Sequence, residues 1–282
     1  MSASIPAPGR NRIVFGLVPQ RDDERTRILL NDLCAHLSHS SPLQVVPHRS
    51  PSSEALASAL RAGRVHIAWV GALLLLVNAQ MAETVPIVSS VRENVALYHS
   101  VLFTTSQSSI RDIRGTKGKR VAWVAASSSS GYVVPRLSLI RAGIPVEGWF
   151  AEELFTGSHV NAVRAVVEGE ADVAATYAIF ESGDAQRELV RSGYRTYDPK
   201  LEVRVLDTSG PIPADLIVAA STVSSEARRV ISSALMRISA DPGSQAIMAE
   251  LIGADAFTPF TPAVLREVRT LIAAARDSGA VE

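Results

Sequence analysis

A run of four serines, Ser127 to Ser130, is the part of this chain best suited to binding chemistry. It follows an apolar stretch, Val121 to Ala125, that is typical of a buried strand, and it precedes apolar residues at helical spacing. Hydroxyls at such a junction lie beside backbone N–H groups that have no partner within the helix. Because the helix dipole is positive at the same end, the run favours an anionic, oxygen-rich ligand. The alternative is a flexible polar loop in which one serine caps the helix.

Composition and charge exclude several classes of protein. The 282 residues carry 28 basic and 28 acidic side chains, a balance that argues against a nucleic-acid binder, which needs a basic surface. The single cysteine, Cys34, excludes an internal disulfide framework. No apolar stretch approaches the roughly 18 residues of a membrane span. The first residues lack an apolar signal core, so three expectations stay open: a cytoplasmic protein, a protein whose signal was removed, or part of a larger chain.

Short apolar runs alternate with amphipathic stretches along the chain, and this alternation predicts an α/β fold with mostly parallel strands. The corners at Gly63 and Gly169 share a pattern of helix end, glycine, polar position and strand. The shared pattern indicates two similarly built lobes; chance similarity of two corners is the alternative. With two chain crossings, we expect one lobe to comprise residues 12–103 and 206–282, and the other residues 104–205. Ligands of open α/β sheets bind where strand ends meet helix starts, so the ligand is expected in a cleft between the lobes.

Several helices are predicted from periodicity alone. An apolar stretch indicates a helix from about Ala72 to Met81, and another is expected from Asp184 to Ser192. The C-terminal part of the chain predicts helices over about Ser224–Ser239, Pro242–Ile252 and Pro262–Asp277.

A series of short motifs runs from about Ile13 to about Gly253. The motifs are Phe15–Pro19, Gly63–Gly71, Tyr98–Leu102, Ser128–Tyr132, Gly157–His159, Gly169–Asp172 and Pro211–Asp215. Their order and spacing resemble those of the phosphate, phosphite and phosphonate substrate-binding proteins of ABC importers. The resemblance implies the type 2 periplasmic-binding-protein fold, in which two α/β lobes enclose a ligand cleft and are joined by two crossover strands.

The resemblance also implies an anion pocket. Ser128, Ser129 and Ser130 stand where the family has a Ser-Thr-Ser turn that holds the ligand's oxygens, in agreement with the anion site inferred from the serines alone. His159 matches a family histidine that contacts the same oxygens; an ordinary helix-start histidine is the alternative. Since a protonated imidazole donates two N–H groups and a neutral one donates a single N–H, binding should weaken as pH rises if protonation contributes.

Two further residues match the pocket of the family. Tyr98 corresponds to a tyrosine whose hydroxyl reaches the ligand, and Asp215 to an acidic residue that pairs with the amino group of aminophosphonates. The alternatives are a half-buried strand tyrosine and a turn aspartate. Asp172, by contrast, is expected to stabilise the loop before its strand rather than to contact ligand.

The sequence departs from the family at three positions. Val70 replaces a pocket tyrosine, and the glutamate that partners the amino group falls near Ile179, unless a small gap shifts it to Glu181. These changes favour a ligand with a phosphonate-like head and a smaller or more apolar tail, or another oxyanion. His66 stands where the family has an aspartate, a change expected to affect a corner of the fold rather than the site.

The resulting hypothesis is a non-catalytic, monomeric solute-binding protein that presents a small oxyanion to an ABC permease. The family is periplasmic, which is the compartment the resemblance implies. We expect no cofactor and no metal, since His36 and His39 have no further ligands nearby in the sequence. The alternatives are a cytoplasmic enzyme on the same fold, such as a chorismate-dehydratase-like protein, and a ligand-sensing module of a signalling protein. For the enzyme, the sequence offers no clear acid–base pair.

Overall fold

A computed structural model describes residues 11–19, 23–72, 81, 83–126, 128–261, 266, 269, 270 and 273. The strands are β1 (Arg12–Leu17), β2 (Gln44–Arg49), β3 (Ile67–Val70), β4 (Val85–Val91), β5 (Leu97–Thr105), β6 (Arg120–Trp123), β7 (Glu152–Phe155), β8 (Val173–Phe180), β9 (Leu189–Ser192), β10 (Val203–Pro213), β11 (Leu216–Ala219) and β12 (Ala256–Pro259). The α-helices are α1 (Glu24–His39), α2 (Ser53–Arg61), α3 (Val134–Arg141), α4 (His159–Val167), α5 (Gly193–Tyr197), α6 (Ser225–Ile238) and α7 (Pro242–Ile252). None of the described helices is long and apolar enough to cross a membrane.

The chain divides into two compact units. Unit 1 comprises the chain up to Ala96 and from Ala214 to Pro262, and unit 2 comprises Leu97–Pro213 with the C-terminal segment from Ala263. Both lobe boundaries predicted from the sequence, near residues 103 and 206, fall inside unit 2, and the assignment of lobes stays a prediction.

Unit 1 is built on a six-stranded sheet in the order β12-β4-β11-β3-β1-β2. Strands β1, β2 and β3 are parallel, whereas β11, β4 and β12 pair in antiparallel fashion. Helix α1 begins at its N-cap Asp23, which accepts the N–H of Thr26 at 2.8 Å, and buries its leucine-rich face. The α/β class is confirmed: β1, β2, β3 and β4 run in the same direction, and the returning C-terminal strands β11 and β12 run opposite to them.

Unit 2 contains a sheet in the order β10-β5-β8-β6-β7, with β9 pairing to β8. Strand β6 is parallel to β7 and β8, while β5, β10 and β9 are antiparallel to their neighbours. One face packs against α4 around Val101 and Phe103. The other face packs against α3 around Trp123 and Leu102. Apolar residues therefore cover both faces of the strands that lead to the serine run.

The predicted helix over Asp184 to Ser192 is wrong. The segment contains β9, which pairs with β8: Arg191 of β9 lies opposite Ile179 of β8. Because this pairing depends on a neighbouring strand, local periodicity could not show it. The predicted helix from Ala72 to Met81 lies almost wholly outside the described residues, as does most of that from Pro262 to Asp277.

The two corners that resemble each other in sequence are built in the same way. His66 donates its backbone N–H to the Val14 carbonyl at 3.0 Å, and its Nδ1 accepts the Val14 N–H at 3.0 Å. Asp172 likewise donates its N–H to the Arg120 carbonyl and accepts the Arg120 N–H through Oδ2, both at 2.9 Å. The polar residue before β3 and that before β8 thus each clamp the backbone of a neighbouring parallel strand.

Candidate functional site

The serine run forms a π-helical turn over Ser129–Val133, which leads directly into α3. Ser128 caps the turn: its Oγ accepts the Gly131 N–H at 3.1 Å, and its carbonyl accepts the Val133 N–H at 3.0 Å. The Ser128 hydroxyl acts as the acceptor in the bond from Gly131, so that bond does not use its own proton. The N–H groups of Ser129 and Ser130 have no acceptor within the described part of the chain. The turn therefore offers several donors at a helix start, which is the arrangement that binds anions.

Packing fixes the serine turn against the sheet. The Gly131 carbonyl accepts the Val124 N–H at 3.1 Å, and a methyl group at position 131 would lie 2.5 Å from Val124 Cβ. From β5, the buried Ser100 hydroxyl donates to the Ser130 carbonyl at 2.7 Å. The turn is thus held from two sides, by glycine packing and by a buried hydrogen bond. Ser127 lies outside the described residues.

His159 is the first residue of α4, whose N-cap Ser158 accepts the Asn161 N–H at 3.1 Å. Its ring is partly buried, with Nδ1 3.0 Å from Oγ1 of Thr176 on β8. The Tyr177 ring lies perpendicular to the imidazole at a centroid distance of 5.1 Å. These two contacts therefore restrict the orientation of the imidazole ring.

The serine turn and His159 both lie at the same edge of the unit 2 sheet. They follow β6 and β7, which are parallel, so both segments begin at the carboxyl edge. Beyond β7, the Thr156 N–H donates to the Trp123 carbonyl at 2.9 Å and the Gly157 N–H to the Val124 carbonyl at 2.8 Å. The structure therefore places two of the predicted elements of the site at one edge of one unit.

Tyr98 belongs to the same unit. It lies on β5 two residues before Ser100, and alternate residues of a strand point to the same face. Because Ser100 bonds to the serine turn, Tyr98 is on the face of β5 that carries the turn.

Asp215 lies in unit 1, directly before β11, and is already part of an ion pair. Its Oδ2 accepts a hydrogen bond from Arg92 Nη2 at 2.6 Å, and both side chains are mostly buried. Arg92 also donates to the carbonyls of Ile252 and Gly253. An arginine held at three points neutralises the carboxylate that the sequence had suggested for a ligand amine.

The two departures from the family pattern that bear on the pocket, Val70 and Ile179, are apolar and buried. Val70 and Ile179 are each 2% exposed, and Glu181 is exposed in a short 3-10 turn after β8. Neither buried side chain can offer a hydrogen bond to an amino group.

Asp172 acts as the sequence predicted, in the corner before β8. The Arg120 guanidinium donates to both of its carboxylate oxygens, at 2.9 and 3.2 Å, and these hydrogen bonds lower the pKa of Asp172. The same hydrogen bonds raise the pKa of Arg120.

The described residues contain no group of three or more His, Cys, Asp and Glu side chains that could hold a metal ion. His36 instead approaches Ser244 Oγ at 2.6 Å through its Nδ1.

Two polar residues near the site are not predicted by the sequence patterns. Ser100 and Thr176 are fully buried hydroxyls within apolar strands. A single hydroxyl inside such a strand is the signal that could have identified them, since buried polar groups require partners.

Comparisons with known proteins identify the family and the fold of this chain. A family model for the periplasmic phosphonate substrate-binding protein of ABC transporters matches residues 15–265. A Xanthomonas citri protein bound to ATP superposes with a TM-score of 0.76 and 20% identity, covering 96% of this chain and 98% of its own. A binding protein component of an ABC phosphonate transporter from Pseudomonas aeruginosa has a TM-score of 0.69 and 19% identity, over 95% and 87% of the two chains. PhnD1 from Prochlorococcus marinus, in complex with methylphosphonate, has a TM-score of 0.68 and 15% identity, over 96% and 99%. At these identities the structures show the fold, and they confirm the periplasmic-binding-protein fold expected from the sequence.

Proposed function

Because this chain belongs to the phosphonate substrate-binding proteins of ABC transporters, we propose that it binds a small phosphonate, phosphite or phosphate-like oxyanion at its serine turn. The observation that carries this proposal is the donor-rich turn of Ser128, Ser129 and Ser130, with its N–H groups at a helix start. Hydrogen bonds from such groups to a charged oxygen are among the strong ones in proteins. His159 and Tyr98 complete the proposed ligand set from the same unit.

The state of Asp215 bears on the ligand's tail. A ligand ammonium would have to compete with Arg92 for the carboxylate, and Val70 and Ile179 offer no replacement partner. We therefore propose a ligand without an amino group, so that methylphosphonate binds more tightly than 2-aminoethylphosphonate.

Calorimetry with a panel of phosphate, phosphite, methylphosphonate, 2-aminoethylphosphonate and an alkylsulfonate tests the binding. Each hydrogen bond to a charged group contributes about 1.5–3 kcal/mol, so Ser129→Ala and His159→Ala should each raise the Kd for the tightest ligand by roughly 10- to 100-fold. Ser138→Ala, in the second half of α3, is the matched control and should leave the Kd unchanged. Binding no tighter than millimolar across the panel, or equal effects of the Ser129 and Ser138 changes, would refute the proposal.

The finer points of the role are part of this proposal and are tested separately. We propose that the protein is a monomer, acts outside the cytoplasmic membrane, delivers its ligand to an ABC permease and does not transform it. Mass spectrometry should recover the bound oxyanion unchanged after prolonged incubation. Light scattering should give a mass near the 30.1 kDa of one chain, and fractionation of the native cells should place the protein in the periplasm.

A further inference from the structure

The contact between His159 and Thr176 has a consequence for the proton on the imidazole. The two atoms involved are Nδ1 of His159 and Oγ1 of Thr176, 3.0 Å apart. Thr176 is fully buried in β8, so its hydroxyl has no access to solvent. We infer that Thr176 is a positioning residue that holds neutral His159 as the tautomer with its proton on Nε2.

The direction of this hydrogen bond follows from the inventory of donors and acceptors. A threonine hydroxyl carries one proton, and neutral imidazole has one N–H and one bare nitrogen. Among the residues that the structure describes, the Thr176 hydroxyl has no other side-chain or carbonyl partner. If Nδ1 carried the proton and donated to Oγ1, the buried hydroxyl proton would be left without an acceptor, which is costly. Thr176 therefore donates to Nδ1, and the ring proton resides on Nε2.

The surroundings of Thr176 hold its hydroxyl in place. Gly193, the first residue of α5, packs directly on Thr176: a methyl group at position 193 would overlap Oγ1 and lie 3.0 Å from Thr176 Cβ. On the other side of the contact, the perpendicular Tyr177 ring limits rotation of the imidazole. Both contacts restrict the geometry in which Thr176 meets Nδ1.

The tautomer also bears on the protonation state of the ligand, an argument that rests on the proposed function. With Nε2 protonated, neutral His159 offers a donor, like the serine-turn N–H groups and the Ser128 hydroxyl. A protonated Nε2 donates and cannot accept, whereas serine hydroxyls can do both. The structure thus points to an ionised oxygen, rather than a P–OH group, at His159.

Nitrogen-15 NMR of protein labelled at histidine reports the tautomer directly. It is recorded at about pH 8, where an ordinary imidazole is neutral. The His159 signals are assigned by their loss in His159→Gln. We expect a protonated Nε2 and an unprotonated Nδ1 in the wild type and in Thr176→Ser, which keeps the hydroxyl. In Thr176→Val, which has nearly the same shape, we expect a mixture of tautomers. A wild-type protein with its proton on Nδ1, or an unchanged pattern in Thr176→Val, would overturn the inference without any ligand.

Calorimetry with the tightest ligand of the panel separates the two claims. Thr176→Val should raise the Kd by about tenfold, equivalent to roughly 1.4 kcal/mol, whereas Thr176→Ser should retain most of the affinity. If Nε2 is protonated but no oxyanion binds, the proposed function fails and the tautomer assignment stands. If oxyanions bind but Thr176→Val leaves the Kd unchanged, Thr176 does not position the binding imidazole and the inference fails.

Discussion

Acidification should weaken unit 1 through one side chain, His66. Its unprotonated Nδ1 accepts the N–H of Val14 on buried strand β1. Burial, assisted by the positive charge of Arg12, lowers the pKa of His66 below its usual 6.5. Because the folded state prefers neutral imidazole, the stabilisation is fully present above about pH 6.5 and is lost as pH falls through the folded pKa.

The structure sets the size of the effect. Protonation removes the acceptor and leaves the Val14 N–H unpaired inside the sheet, which costs about 1–3 kcal/mol. One proton allows a slope of at most about 1.4 kcal/mol per pH unit. Because the unfolded imidazole takes up its proton only near and below about pH 6.5, the free energy of unfolding of unit 1 should fall by at most about 1.4 kcal/mol between about pH 7.5 and pH 5.5 on account of His66.

Urea unfolding of the wild type and of His66→Asn at both pH values isolates this contribution. Asparagine keeps an oxygen that accepts the Val14 N–H, as Asp172 does for Arg120, but does not titrate. His99, whose pKa is lowered by burial in unit 2, affects both proteins equally. His39→Asn, at an exposed position of α1, controls for the loss of a histidine. Equal acid sensitivity of the wild type and His66→Asn would refute the reasoning.

Three further outcomes follow from the structure. Gly131→Ala should destabilise the protein by about 1–3 kcal/mol in thermal melting, because its methyl group meets Val124; an unchanged melting temperature would show that the turn has room. Asp172→Ala should cost about 1–3 kcal/mol in urea unfolding, since it leaves the Arg120 N–H without its acceptor, and Asp172→Asn should lose less; equal losses would contradict this account. Burial raises the pKa of Cys34 to about 12, so the native thiol should resist alkylation at about pH 8 by mass spectrometry and react once urea is added; rapid native labelling would refute this.

Much of the fold could be predicted because it depends on local patterns. Periodicity alone predicts that the serine run lies between a strand and a helix, and the structure places Ser128–Ser130 between β6 and α3. Gly63 and Gly169 marked two corners that prove to share a double hydrogen bond, although one uses His66 and the other Asp172. Capping, turns and buried apolar runs are properties of neighbouring residues, which a sequence shows directly.

The remainder depends on distant pairing. Strands β7 and β9 carry exposed, charged residues and become strands only because β6 and β8 lie beside them. The serine turn packs against Val124 through Gly131, a contact set by the folded path of the chain. Thr176 is one hydroxyl among alanines, and its partner is 17 residues away. No local pattern reports such contacts.

The chain enters residues 97–213 after Ala96 and leaves them before Ala214, and these two points lie side by side. Leu97 and Pro213 are register partners at the end of the β5–β10 ribbon, and the Ala214 N–H donates to the Ala96 carbonyl at 2.9 Å. Residues 97–213 are therefore a cassette whose ends emerge side by side. A short peptide linker between Ala96 and Ala214 would suffice to excise it, and relatives of this architecture become natural donors for exchanging residues 97–213 as one continuous gene fragment.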